Sequence, residues 1–163
     1  MSATDDLLAN NEAYVQVFDG AGKTGAPVKR VAVLACMDAR LDPARALGLE
    51  PGDAHVIRNA GGAVTDDAIR SLAISQHLLG TEEIVLIQHT DCGMQKATDE
   101  EVTRLLASHA GQSPPFKPQT FTNLERNLRE SVHALKQSPF LLKRDRIRGF
   151  VYDVDTGRLT EVR

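Results

Sequence analysis

Residues 31–40 read Val31-Ala32-Val33-Leu34-Ala35-Cys36-Met37-Asp38-Ala39-Arg40. Val31, Val33 and Leu34 make a short β-branched and apolar run, the pattern of a strand buried on both faces. The run ends on a thiol, and a carboxylate and a guanidinium follow at alternate positions, Asp38 and Arg40. A buried strand has no use for those three groups at its carboxyl end. In an open parallel sheet, that end is where ligands bind.

Working outward, three more runs have strand character. Ala54–Arg58 is followed by Asn59-Ala60-Gly61-Gly62, a backbone able to approach a neighbour closely. Residues 83–88 form another strand with a continuous apolar run from Ile84 to Ile87, and lead straight into His89-Thr90-Asp91-Cys92-Gly93. Ile147–Asp153 is the fourth strand, and Asp155-Thr156-Gly157 turns the chain into a short antiparallel Arg158–Val162. Helical patterns lie between them. Asp42-Pro43 opens a short turn through Leu47. Thr65 caps a helix to Leu79, with Asp66 and Asp67 favourable to its dipole and Ile69, Leu72, Ala73 and Leu79 as its buried stripe. Thr98 with Glu101 forms a capping box for a helix to about His109. Residues 111–119 are a proline-rich loop. A second long helix over 120–137 carries Phe121, Leu124, Leu128, Val132 and Leu135 on one face. A first helix over 4–18 shows Leu7, Leu8, Tyr14, Val15 and Phe18, a surface as fit for a neighbouring subunit as for its own core.

Strands alternating with helices predict an α/β fold: a central, mainly parallel sheet of order 2-1-3-4 plus a short antiparallel edge strand, flanked by helices, with an N-terminal helical arm. At 163 residues the chain is expected to be one domain, 1–163, of which 1–25 are the arm. In that strand order, strands 1 and 3 are neighbours, and the crevice at their carboxyl ends is the topological switch point. Cys36, His89 and Cys92 converge there. Two thiolates and an imidazole are a donor set suited to Zn²⁺, and three protein ligands leave a tetrahedral position open, the mark of a catalytic site. The other histidines, His55, His77, His109 and His133, are expected to face solvent or be satisfied within the fold. Asp38 can take the fourth metal position or be held by Arg40 in a bidentate pair, two exclusive roles that make the site switchable. Zn²⁺ with two thiolates is formally neutral, so it should acidify water less than a three-histidine site does, and activity should rise toward alkaline pH.

Composition narrows the rest. The net charge is −3, with no block of Lys and Arg, which argues against nucleic acid and anionic membrane partners. The N-terminal residues carry acids where a secretory leader carries bases, and no apolar run approaches a membrane span. A cytoplasmic location is expected, where two cysteines serve metal binding or catalysis rather than a disulfide. The Gly20–Thr24 stretch superficially matches a phosphate-binding loop, but the glycine required five positions before Gly22 is Val17, and no strand precedes it. Cys36 as a phosphate-directed nucleophile needs an arginine six positions on, where Asp42 stands.

Taken together, Cys36-Met37-Asp38-Ala39-Arg40, Arg58-Asn59-Ala60-Gly61 and His89-Thr90-Asp91-Cys92-Gly93 resemble the β-class carbonic anhydrases, most closely the short prokaryotic branch, from about Val31 onward. The resemblance implies zinc on Cys36, His89 and Cys92, with Asp38 as a fourth ligand in a closed form. It also implies an Asp38–Arg40 catalytic dyad, a substrate pocket that includes Asn59, Gly61 and Gly93, and hydration of CO₂ to bicarbonate and a proton by a zinc-bound hydroxide. It further implies a homodimer or homotetramer in which the N-terminal helix embraces the partner. Two rivals use the same residues: a hydrolase of CS₂ or COS, and a non-catalytic zinc-binding regulatory protein with Asp38 permanently on the metal.

Overall fold

The computed structural model describes residues 2–163, and in it Val31–Cys36 is β1, an interior strand of the sheet. Ala32 through Ala35 are fully buried. The other strands are β2 (Ala54–Asn59), β3 (Glu83–His89), β4 (Ile147–Tyr152) and β5 (Leu159–Val162), ordered β2-β1-β3-β4-β5. The first four are parallel, and β5 runs antiparallel to β4 at the edge, as the sequence predicts. Val31 pairs with Ala54 on one side and Glu83 on the other, so β1 and β3 end side by side.

The helices are α1 (Ala3–Val15), α2 (Pro43–Leu47), α3 (Asp66–Leu79), α4 (Asp99–Ala110) and α5 (Leu124–Gln137). Their ends follow local chemistry. Ser2 and Asp5 close a capping box on α1, and Thr98 and Glu101 do the same on α4. Gly48, Gly80 and Gly111 terminate α2, α3 and α4 in the left-handed conformation.

One face of the sheet packs Ala32, Leu34, Ile84, Leu86 and Ile147 against Ala68 and Leu72 of α3 and Leu128 and Leu135 of α5. Leu34, Leu72, Leu86 and Leu128 are wholly buried, worth roughly 1.5–3 kcal/mol each in transfer free energy. Gly149 of β4 lies under α5: a Cβ there would meet Val132 Cγ2 at 2.8 Å. The opposite face packs Val33, Ala35 and Ile87 with Cys36, Cys92, Leu41 and Phe121, and this layer carries the chemistry.

Two expectations need correction. The second long helix starts at Leu124, not at 120, because Asn123 caps it and the preceding backbone is tied to α4: Thr120 donates through its amide and hydroxyl to Asp99 Oδ1 at 2.7 and 2.6 Å. Phe121 therefore leaves the helical face and packs in the opposite layer, its N–H donating to the Met94 carbonyl. The first helix stops at Val15, and it buries none of its residues: Leu7 and Leu8 are 67% and 61% exposed. Its apolar side has no place on its own core. Among the described residues, no helix is long and apolar enough to cross a membrane.

Candidate metal centre

Cys36 is the last residue of β1 and His89 the last of β3. Cys92 follows after a two-residue loop. That loop is held to β4, since Thr90 N–H donates to the Tyr152 carbonyl and Thr90 Oγ1 accepts from Val154 N–H. All three side chains are buried, and their donor atoms lie within 4.8 Å of one another.

His89 shows which atom is available. Its Nδ1 is 2.8 Å from the Thr90 carbonyl, which can only accept, so Nδ1 carries the proton. Nε2 is left with its lone pair, buried and without a hydrogen-bond partner. An orphaned imidazole nitrogen facing two thiols is costly in an otherwise satisfied core, and a bound cation removes that cost. The carbonyl on the far nitrogen is the usual way a metal-ligating histidine is oriented.

The electrostatics agree. The hydrogen bond from Cys92 pulls the Cys36 thiol down to about 4 against the effect of burial, helped by His89 and by the amides of Asp38 and Gly61. The same Cys36 pushes Cys92 far up, since two adjacent thiols in a buried space share one proton. Burial pulls the His89 imidazole down, while Cys36 and the Thr90 carbonyl outweigh it and raise it overall. Cys36 is thus favoured as a thiolate, and the proton is favoured on its two neighbours, Cys92 and His89. The donor set, S₂N, fits Zn²⁺.

Asp38 and Arg40 stand beside the cluster. Arg40 Nε and Nη2 donate to Asp38 Oδ1 and Oδ2 at 3.0 and 2.9 Å, a bidentate pair, and the Arg40 amide adds a third bond at 2.9 Å. These bonds hold the Asp38 carboxyl well below the usual carboxylate range. Asp38 Oδ2 sits 3.7 Å from His89 Nε2, too far for a hydrogen bond and near enough to reach an ion held there.

The sequence quoted Arg58 only within a motif, and its role is the residue-level finding it missed. Its guanidinium donates to the carbonyls of Cys36, Asp38 and Leu41 at 3.1, 2.8 and 2.7 Å. One side chain thus fixes the backbone of the whole segment after β1. Nothing in a linear pattern marks three carbonyl partners from 17 to 22 positions away. Of the expected pocket residues, Asn59 uses its side chain on Ala63, donating to the carbonyl and accepting from the amide at 2.8 and 2.7 Å. Gly61 is buried next to Met94 and Phe121, and Gly93 is exposed at the rim. His55 bonds Ser75 and the Gly25 carbonyl, and His77 faces the Phe140 carbonyl, so neither approaches the cluster. The large surface grooves also lie elsewhere. One of about 600 Å³ between α3 and the end of α5 is lined by Ile69, Ala73, Ile74 and Phe140, with Asp66 as its single carboxylate and neither Cys nor His.

An open parallel sheet with a Cys₂His cluster able to hold a metal, and a carboxylate–guanidinium pair beside it at the switch point, is the arrangement of an α/β enzyme. The carbonic anhydrase family model matches residues 31–159. Over 162 residues the chain is 50% identical to Beta-carbonic anhydrase 1 of Mycobacterium tuberculosis, covering 99% of both. A crystal structure of carbonic anhydrase from Streptococcus mutans superposes with a TM-score of 0.93 at 47% identity, covering 100% of this chain and 99% of that one. Carbon disulfide hydrolase of an Acidianus strain is 37% identical, over 80% of this chain and 76% of that protein. The chain belongs to the β-class carbonic anhydrases.

Proposed function

We infer that this protein catalyses the reversible hydration of CO₂ to bicarbonate and a proton, with Zn²⁺ held by Cys36, His89 and Cys92. The observation that carries this is the unpartnered His89 Nε2, buried between two thiols and 3.7 Å from Asp38, in a chain half identical to a named β-carbonic anhydrase. Bound there, Zn²⁺ supplies the Lewis acidity that makes water a usable nucleophile near neutral pH. The protein's own groups do the rest. The Thr90 carbonyl keeps the proton on His89 Nδ1, so Nε2 stays a donor. Arg58 holds the Cys36 and Asp38 backbone in place. Arg40 keeps Asp38 ionised, so that its carboxylate accepts the O–H of the reacting water and orients it. Asp38, with Oδ2 3.7 Å from His89 Nε2, would be the residue to supply a fourth ligand and close the site if Arg40 released it.

Asn59, Gly61 and Gly93 border the approach to the metal, and Asn59 acts by shaping its loop. The exposed Leu7, Leu8, Tyr14 and Val15 of α1 fit a homodimer or homotetramer in which this helix covers a partner. The two free thiols fit a reducing compartment such as the cytoplasm.

Hydrolysis of CS₂ on the same donors is the second reading, favoured by the similarity to carbon disulfide hydrolase. Stopped-flow turnover of CO₂ and CS₂, measured alongside zinc content for wild type and Asp38→Asn, separates the two. CO₂ hydration by the wild type, rising toward alkaline pH and falling roughly 10- to 100-fold in zinc-replete Asp38→Asn, is expected. A zinc-replete wild type that turns over CS₂ but not CO₂ overturns the first reading. One that turns over neither leaves a closed regulatory site.

A further inference from the structure

The loop that supplies two of the three metal donors carries an acid that the reaction above does not use. Asp91, between His89 and Cys92, adopts φ 53°, the left-handed region that Asp tolerates better than most residues. This turns both its carbonyl and its carboxylate toward one guanidinium. Arg40 Nη1 donates to Asp91 Oδ2 at 2.9 Å and Arg40 Nη2 to the Asp91 carbonyl at 3.1 Å. The other edge of the same guanidinium, Nε and Nη2, faces Asp38. Behind Asp91, Lys96 Nζ lies 2.8 Å from Oδ1. Lys96, Asp91, Arg40 and Asp38 therefore form one row of alternating charge that stops 3.7 Å short of His89 Nε2.

A guanidinium is flat and rigid, so gripping the Nη1/Nη2 edge fixes where the adjoining Nε/Nη2 edge points. The Arg40 side chain is 46% exposed, and without such a grip its long stem is free to turn. We propose that Asp91, braced by Lys96, is a positioning residue that locks the Arg40 fork toward Asp38 and thereby keeps Asp38 off the metal. It rests on the reading that Asp38 has one place on the ion and one on Arg40, and it adds the part that biases the choice. Asp91 touches neither the donor atoms nor the reacting ones.

The test uses full-length, zinc-loaded protein carrying Asp91→Ala, Asp91→Asn or Lys96→Gln. Nitrogen-15 NMR of the Arg40 Nη groups reports whether rotation of the guanidinium is restricted. X-ray absorption at zinc reports whether a carboxylate oxygen has entered its shell. In Asp91→Ala the Arg40 Nη signals should merge, a carboxylate oxygen should appear at zinc, and CO₂ turnover should fall about tenfold. Asp91→Asn keeps the carbonyl and an amide acceptor, so it should retain most of the restriction. Lys96→Gln, which alters only an exposed brace, should shift the same readouts in the same direction by less. Within an Asp38→Asn background, Asp91→Ala should lower turnover no further. Unchanged Arg40 signals in Asp91→Ala, or an undiminished loss of turnover in the Asp38→Asn background, overturn the proposal. A wild type inactive toward CO₂ sinks the functional reading alone, because the NMR and absorption measurements still decide whether Asp91 positions Arg40 and Asp38.

Discussion

Two adjacent glycines beneath the metal centre offer a sharp test of how closely this site is built. Gly61 and Gly62 both have positive φ, 76° and 59°, so an alanine at either carries a left-handed strain of ~1–2 kcal/mol. They differ in what a Cβ would meet. At Gly61 the nearest atom is Met94 Cγ, at 3.1 Å, on a flexible side chain that can move aside. At Gly62 the neighbours are all backbone: the Ile87 carbonyl oxygen at 2.8 Å, Cys36 N at 3.1 Å and Ala35 C at 3.3 Å. Those atoms belong to β1 and β3, which are hydrogen-bonded to each other, so relief requires shifting the strands that carry Cys36 and His89. Overpacking of this sort adds ~1–3 kcal/mol. Gly62→Ala should then cost ~2–5 kcal/mol and Gly61→Ala ~1–2 kcal/mol. For a chain of this size these correspond to losses in Tm of about 10 °C and about 5 °C. Differential scanning calorimetry on zinc-loaded samples at one protein concentration measures both, and zinc content after dialysis against a weak chelator should drop in Gly62→Ala only. Equal Tm losses, or the greater loss in Gly61→Ala, would refute the claim that contact with the strand backbone sets the position of Cys36.

Three further outcomes follow from other features. His89→Ala removes the one imidazole donor, so metal affinity should fall roughly 100-fold or more with circular dichroism unchanged, as read by zinc content and chelator competition. The hydroxyl and amide of Thr120 hold the Asp99 carboxyl below its ordinary value, so this group stabilises the fold above the ordinary carboxylate pKa and stops doing so as pH falls through the folded one. The Tm gap between wild type and Asp99→Asn should therefore be full near pH 6 and close below about pH 4; a gap independent of pH contradicts this. Leu8→Asp, on a helix with no buried residue, should leave the chain folded but shift its size-exclusion elution to a smaller species, and unchanged elution removes α1 from the subunit contact.

The parts of the molecule legible in sequence are those where one local pattern suffices. The continuous apolar runs at 31–36 and 83–89 mark buried strands, and the residue at which each run ends marks the site. The order β2-β1-β3-β4-β5 is the one assumed from the α/β pattern, and its adjacent β1 and β3 bring Cys36 beside His89 and Cys92. What stayed hidden depends on partners far apart in the chain. In residues 120–123, Phe121 continues the helical spacing of Leu124 and Leu128, but the Asp99 carboxylate binds Thr120 and holds the segment out of the helix. Arg58 looks like an ordinary strand residue until its three carbonyl partners are seen. Asp91 reads as a spacer between two ligands, and its grip on Arg40 spans 51 positions.

Cys36 and His89 end neighbouring parallel strands, and their separation is set by the hydrogen bonds of the sheet rather than by the ion between them. The β-ladder places two of the three donors, and the loop that Thr90 ties to β4 places the third, Cys92. Loading is then a late docking event on a finished body, unlike small zinc-nucleated modules, whose chains collapse only around the ion. On the proposed zinc reading, chelation should therefore silence turnover without unravelling the sheet.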